Sequence, residues 1–330
     1  MENSALVRLL PAYATAAVML VITLFIYKSP FWLDTSIVVG IFSLLALSVG
    51  VSYGQAGILS LATAAFASMG AYATAILSVR YGISPYLTLL VSLGLPAAIA
   101  YPLSRAICRL SPLPLLLATL MLSTLVETGF RWGGDFTGGY IGLSGISKLS
   151  IAAAPLSMHL LVWSIVFVVL VVYANLIHSS VGRAANVAKH DPLRAVADGV
   201  DVPGCLAVFF SLSAALAGLA GWLYAHHFAY VGADSLGMHV SVQALLMAIV
   251  GGVSTLLGPI VGAAALILVN SYLPTSEALG MVFGALLLLV LLLAPEGLLG
   301  GDRIQGIFHR SALRRVRKIL HRAKAGAPNA

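Results

Sequence analysis

The chain is poor in charge. Asp, Glu, Lys and Arg make up only 9% of its 330 residues while 60% are hydrophobic, whereas about a quarter of an ordinary globular domain is charged. No soluble core needs so much apolar sequence, so the two soluble domains that length alone would suggest are excluded. Cysteine is almost missing. Cys108 and Cys205 each fall at the end of an apolar run, which leaves no disulfide framework. No Gly-Lys dipeptide occurs, hence no G-x-x-x-x-G-K-[ST] phosphate loop, and C-x-x-C, H-E-x-x-H and dinucleotide fingerprints are absent too. Nor do the apolar runs hold the strings of Asp, Glu and His that proton-coupled carriers use as relays. The expectation is an all-α, polytopic transmembrane bundle that has no catalytic residues, no metal site and no fuel of its own.

Runs of the ~20 apolar residues that a spanning helix needs lie at 9–27, 35–52, 57–79, 85–107, 113–130, 156–177, 205–225, 241–253, 258–272 and 279–294, giving about ten spans. The runs on either side of 251–259 are short and Gly-rich. They read as tilted helices or as a broken pair inside the bundle, where non-helical backbone is tolerated only against protein. With the N-terminus inside, fourteen Lys and Arg residues fall on the inner side and four (Lys28, Arg80, Arg131, Lys148) on the outer. That bias puts both termini in the cytoplasm. It also explains the basic net charge as topology and not as nucleic-acid binding, since no basic–aromatic surface pattern accompanies it. The first run is longer than a signal-peptide core and no small-x-small site follows it before Lys28, so it reads as an uncleaved anchor. Residues 1–302 then form a transmembrane domain with an outer loop at 131–155 and a cytoplasmic loop at 178–204. Residues 303–330 form a basic, amphipathic tail suited to the lipids of an anionic inner leaflet.

The long polar interruption begins at Gly182. At its centre Asp191 suits the N-cap of a short helix, because its carboxylate can accept from free N–H groups of the first turn. Pro192 suits the first helical position, and Gly199 suits the left-handed residue that ends about two turns. A capped surface helix between two spans is what a soluble partner would grip.

Small residues recur at helical spacing in the second and third spans (Gly50, Gly54, Gly57, Ala64, Ala67, Gly70, Ala71), which predicts close helix contact. The polar residues among them, Gln55, Ser60 and Thr63, are candidates for a solute path. Glu127, at the outer end of a span, is either a further path residue or the i,i+4 partner of Arg131. The segment 241–272 repeats this Gly-rich character, with Gly258 and Gly262, and Gly280 and Gly284 in the last span, spaced for close helix contact. Gly142-Leu143-Ser144-Gly145 spells the tetrad of a rhomboid-type protease, but Ser144 lies in a polar loop and no span holds a central His to activate it. His226, His227 and His239 follow a span without a Cys or carboxylate cluster, which reads as interfacial histidine and not as a metal site.

Four patches, at 52–77, 137–146, 182–226 and 240–266, together resemble the permease subunits of bacterial ABC importers for branched-chain amino acids. The central patch, GRAANVAKHDPLRAVADGVDVPGCLAVFFSLSAALAGLAG, is the most specific. The resemblance implies a bacterial inner-membrane importer of two paralogous permeases and two cytoplasmic ATPases, with ATP and Mg held by the ATPases and solute delivered by an extracytoplasmic binding protein. It makes the capped helix a coupling helix, with Lys189, Asp191, Pro192, Arg194, Asp198 and Gly199 at the ATPase contact. It makes Thr137, Gly138, Gly139, Gly142 and Ser144 a loop against the binding protein. The sequence departs from the family at Ala62–Thr63, where His or Asn is usual, and near Lys189–His190, where a second acidic residue is usual. Members also carry other amino acids, amides or urea, so the solute stays open. The alternative class is a stand-alone carrier or channel for a small polar solute.

Overall fold

The structure, a computed structural model, describes residues 2–107, 110–152, 154–272 and 297–300. It is almost entirely helical. In order come α1 (Glu2–Ile26), α2 (Pro30–Val49), α3 (Thr63–Tyr81), α4 (Pro85–Ile107), α5 (Pro112–Trp132) and the single turn α6 (Gly134–Thr137). Then follow α7 (Pro155–His178), α8 (Ser180–His190), α9 (Pro192–Ala197), α10 (Val202–Phe228), α11 (Met238–Gly251) and α12 (Gly258–Tyr272). Two two-residue strands, β1 (Leu143–Ser144) and β2 (Tyr230–Val231), pair antiparallel with Leu143 opposite Val231 and Ser144 opposite Tyr230. Proline opens α2, α5 and α7 at a position whose N–H would have no partner anyway.

Among the described residues, five helical segments are long and apolar enough to cross a membrane: Pro30–Gln55, Pro85–Ile107, Pro112–Trp132, Pro155–His178 and Val202–Phe228. They agree with five of the expected spans to within a few residues. The expected span at 279–294, the tail at 303–330, and Cys108 and Arg109 lie outside the described residues.

α2 and α3 form the centre. α3 packs on α4, α5, α10 and α11, and its Ala, Ser and Thr side chains are mostly buried. The contacts are made by small residues, as the spacing predicts. Gly70 meets the backbone of Gly218, Gly221 meets that of Ala67, and Gly218 meets the carbonyl of Ser92, with no space for a Cβ at any of them. Trp222 of α10 ties the layer to the start of α4 by donating from Nε1 to Thr88 Oγ1 (3.1 Å). α4 and α5 turn leucine-rich faces outward, including Leu87, Leu90, Leu113, Leu117 and Leu125.

One expected span differs in the structure. The run at 57–79 is helical only from Thr63. α2 passes into a π-helical turn (Gly50–Gln55), and residues 57–62 then run as irregular backbone through the bundle, with Ile58, Ser60, Leu61 and Ala62 buried. Gly57, at φ +72, turns the chain out of the helix. Of the two readings open at 241–272, the structure shows a broken pair. α11 and α12 have 14 and 15 residues, hence lengths of about 21 and 22 Å, and neither reaches the ~30 Å of a hydrocarbon core. Residues 252–257 turn the chain between them, and Gly251, Gly258 and Gly262 let the two backbones touch. The N–H groups of Leu298 and Leu299 close this corner by donating to Val250 O (2.9 Å) and Gly251 O (3.1 Å).

Candidate functional site

At one end of the bundle α8 and α9 form a hairpin of polar helices. Ser179 caps α8 by accepting from Gly182 N (3.1 Å), and Gly182, Ala185 and Ala188 sit one turn apart on its buried face. Asp191 joins the helices. Its N–H donates to Val187 O (2.8 Å), and its carboxylate accepts from Arg194 N (3.0 Å) at the start of α9. Pro192 takes the first helical position, Gly199 is left-handed (φ +81), and Val200 N returns to Ala195 O (2.9 Å). This is the capped helix expected from local chemistry. Ala195 is fully buried and holds α9 down, while Leu193 is 85% and Val196 63% exposed. Arg194 and Asp198, 3.9 Å apart and both exposed, flank them. Two bare aliphatic side chains between opposite charges form a knob with the composition of a protein contact.

Lys189 does not join that knob. Its Nζ turns into the bundle and donates to Gly54 O (2.7 Å) at the end of the π-helical turn. Desolvation holds this ammonium's pKa below the usual lysine value. Asp191, Pro192, Arg194, Asp198 and Gly199 are thus brought together, and Lys189 is separated from them.

Ser60 lies in the break between α2 and α3, Gln55 and Thr63 stand at its two edges, and all three are buried. Gln55 lies beside the Tyr173 hydroxyl of α7. Ser60 Oγ accepts from Ala62 N (3.1 Å), a local turn. The rest of the break is held from outside. Thr119 Oγ1 of α5 accepts from Leu61 N (3.0 Å), Ser123 Oγ donates to Leu61 O (2.6 Å), and Ser241 Oγ of α11 accepts from Ala64 N (2.8 Å). The irregular peptide thus finds in side chains the partners that helix would have given it. Thr119, Ser123 and Ser241 were not among the sequence candidates. The signal in the sequence is the spacing Thr119, Ser123, Glu127 (i, i+4, i+8) along a leucine-rich helix.

Glu127 stands apart from that break, at the other end. Its Oε1 accepts from Arg131 Nη2 (2.7 Å), its Oε2 accepts from Met238 N at the start of α11 (3.1 Å), and Arg131 also bonds Asp234. The i,i+4 pair is therefore present, and the carboxylate in addition caps a helix. Nearby, Thr137 Oγ1 donates to Phe130 O (2.6 Å), and Gly138, Gly139 and Gly142 are all left-handed. Gly142 leaves no room for a Cβ against the backbone of Val231 and Gly232, so the TGG…GLSG pattern is the geometry of this loop. Its tip bares Tyr140 (76% exposed) and Ile141 (84%). Ser144 pairs through its main chain with β2 and its side chain is exposed, His226 Nδ1 lies 2.9 Å from Ser147 O, and His227 Nε2 lies 3.1 Å from Asp34. Among the described residues no three His, Cys, Asp or Glu side chains converge on a metal position.

Residues 31–292 match the family model described as branched-chain amino acid transport system / permease component. The chain belongs to that family. It is similar to the high-affinity branched-chain amino acid transport system permease protein LivM of Escherichia coli K12, 25% identical over 300 residues that cover 82% of this chain and 71% of that protein. It is also similar to LivH of Salmonella typhimurium, a permease protein of the same system, 28% identical over 166 residues covering 49% and 53% of the two chains. No solved structure matches. The permease family and the apolar helices make this a multi-pass membrane protein. The match spans both the central pair of helices and the α8–α9 hairpin, so those parts belong to one permease unit.

Proposed function

We propose that this permease is the membrane-spanning subunit of an ATP-driven importer for branched-chain or related amino acids, or small amides. It would pair with a second, paralogous permease and two cytoplasmic ATPases of the ATP-binding-cassette type, which hold ATP and Mg. An extracytoplasmic binding protein delivers the solute. In this reading 1–302 is the transmembrane domain and 303–330 a cytoplasmic tail on the membrane surface, with both termini in the cytoplasm of a bacterial cell.

The observation that carries the reading is the α9 knob. A six-residue helix capped at both ends presents Leu193 and Val196 to solvent at the end of a bundle that is otherwise apolar. The names of the LivM and LivH relatives support the solute class. Closure of the ATPases on ATP would press the α8–α9 hairpins of the two permeases together and switch access from one side of the membrane to the other. The glycine contacts of α3 and α10 suit such rocking, because they lack side chains that would interlock. The loop tip at Tyr140 and Ile141, framed by Thr137, Gly138, Gly139, Gly142 and Ser144, would meet the loaded binding protein.

The test is Leu193→Asp combined with Val196→Asp in the whole importer. Two carboxylates in an apolar contact should abolish co-purification with the ATPases and ATP-driven uptake, while the permease still inserts. Retained uptake would reject the α9 contact. Gradient-driven flux through this chain alone in liposomes would reject the importer class in favour of a stand-alone carrier.

A further inference from the structure

The Lys189 side chain runs inward, away from the knob that its own hairpin displays. The carbonyl it reaches belongs to Gly54, in the last turn before the chain leaves the helix, where a carbonyl has no N–H ahead of it. Gly57 then swings the backbone aside, and the lysine stem lies over it: a Cβ on Gly57 would stand 3.1 Å from Lys189 Cγ. On its other side Gly54 abuts the carbonyl of Val253 in the 252–257 turn, with no space for a side chain. Three elements thus meet at one peptide: α8, the end of α2, and the corner between α11 and α12. Seven residues further on, the same strand of backbone is clipped to α5 through both main-chain groups of Leu61.

We propose that Lys189 is a positioning residue that transmits movement of the α8–α9 hairpin to the broken segment between α2 and α3. The inference rests on the reading of α9 as an ATPase contact. The buried face of α8 is otherwise Gly182, Ala185 and Ala188, small apolar surfaces that slide with little resistance. A charged donor on a carbonyl is directional and strong, so it resists a pull along the contact. The compact ammonium of lysine suits a single carbonyl, whereas the forked guanidinium of arginine favours paired acceptors.

The experiment uses the complete importer in lipid nanodiscs with Lys189→Met, which keeps an apolar stem and loses the donor, and Lys189→Arg, which restores a donor. Two ratios are read: solute imported per ATP hydrolysed, and hydrolysis with loaded binding protein over hydrolysis without it. The methionine variant should lower both by about tenfold, the scale of a typical coupling between sites, and arginine should recover most of the loss. Amide hydrogen exchange over 54–62 should accelerate in Lys189→Met even in the permease without ATPases, a readout of the link alone. Should Lys189→Met not fold, Lys189→Gln, with a neutral donor, is read in the same way. Wild-type ratios in the uncharged variants would overturn the proposal and leave the importer reading standing. If the wild-type chain drives no coupled hydrolysis, the importer reading fails and the proposal fails with it.

Discussion

Gly199 is left-handed at φ +81, and a Cβ placed on it would meet nothing within 4 Å. Any defect of a side chain there is therefore one of backbone conformation and not of collision. The left-handed region penalises an ordinary L-residue by roughly 1–2 kcal/mol, and a β-branched residue tolerates it least. Gly199→Val should thus fray the end of α9 and reduce uptake several-fold while ATP hydrolysis continues. Gly199→Asn, whose side chain tolerates this region, should stay near the wild type. The ratio of uptake to hydrolysis in proteoliposomes checks this, and normal coupling in the valine variant would count against α9 as the site of force transfer. The residues of this helix were legible in the sequence because a cap is local chemistry: Asp191, Pro192 and Gly199 act on backbone a few positions away. The inward turn of the Lys189 side chain is not legible for the opposite reason. Its partner lies 135 positions distant, and nothing near it in the chain distinguishes an inward lysine from an outward one.

At the scale of elements, the break between α2 and α3 is the feature that hydropathy misses. Residues 57–62 are as apolar as a helix, and only Gly57 hints at the departure. What makes the break possible lies in another element, the Thr119 and Ser123 hydroxyls of α5, and sequence patterning does not connect positions some sixty residues apart. Removing either hydroxyl leaves a buried main-chain group of Leu61 without that partner, at a cost of about 1–3 kcal/mol. Thr119→Val and Ser123→Ala should each lower the thermal midpoint of the purified permease. The double variant should lose less than the sum, since both act on one peptide. Thermal unfolding followed in detergent decides the matter, and midpoints equal to the wild type would show that the clip carries no load. The α11–α12 pair was easier to read. Its glycines and its shortness are both visible in the sequence, and the structure only had to choose between two geometries.

For the whole molecule, the two ends of the bundle differ in kind. One carries the α8–α9 hairpin, Lys189 and the 252–257 corner. The other carries the Glu127–Arg131–Asp234 cluster and the β1–β2 pair. The importer reading assigns the first to the cytoplasm and the second to the exterior. In a background lacking Cys108 and Cys205, Asp198→Cys should react with a membrane-impermeant maleimide only in inside-out vesicles, and Tyr140→Cys only in intact spheroplasts. The reverse pattern would invert the topology and remove the basis for the ATPase contact. The charge bias points to the same orientation from sequence alone, since it depends on totals and not on any one contact.

The composition of α3 bears on how the chain is made. With 19 residues rich in Ala, Ser and Thr, it is not among the helices apolar enough to cross a membrane by themselves. Partition into lipid does not hold such a segment when it first leaves the ribosome. Of the neighbours that cover it, α4 and α5 emerge next, whereas α10 and α11 begin only at Val202 and Met238. For much of translation, then, α3 would lack the cover that α10 and α11 give it in the finished bundle. Something other than lipid would then have to keep it in place until the second half of the protein arrives.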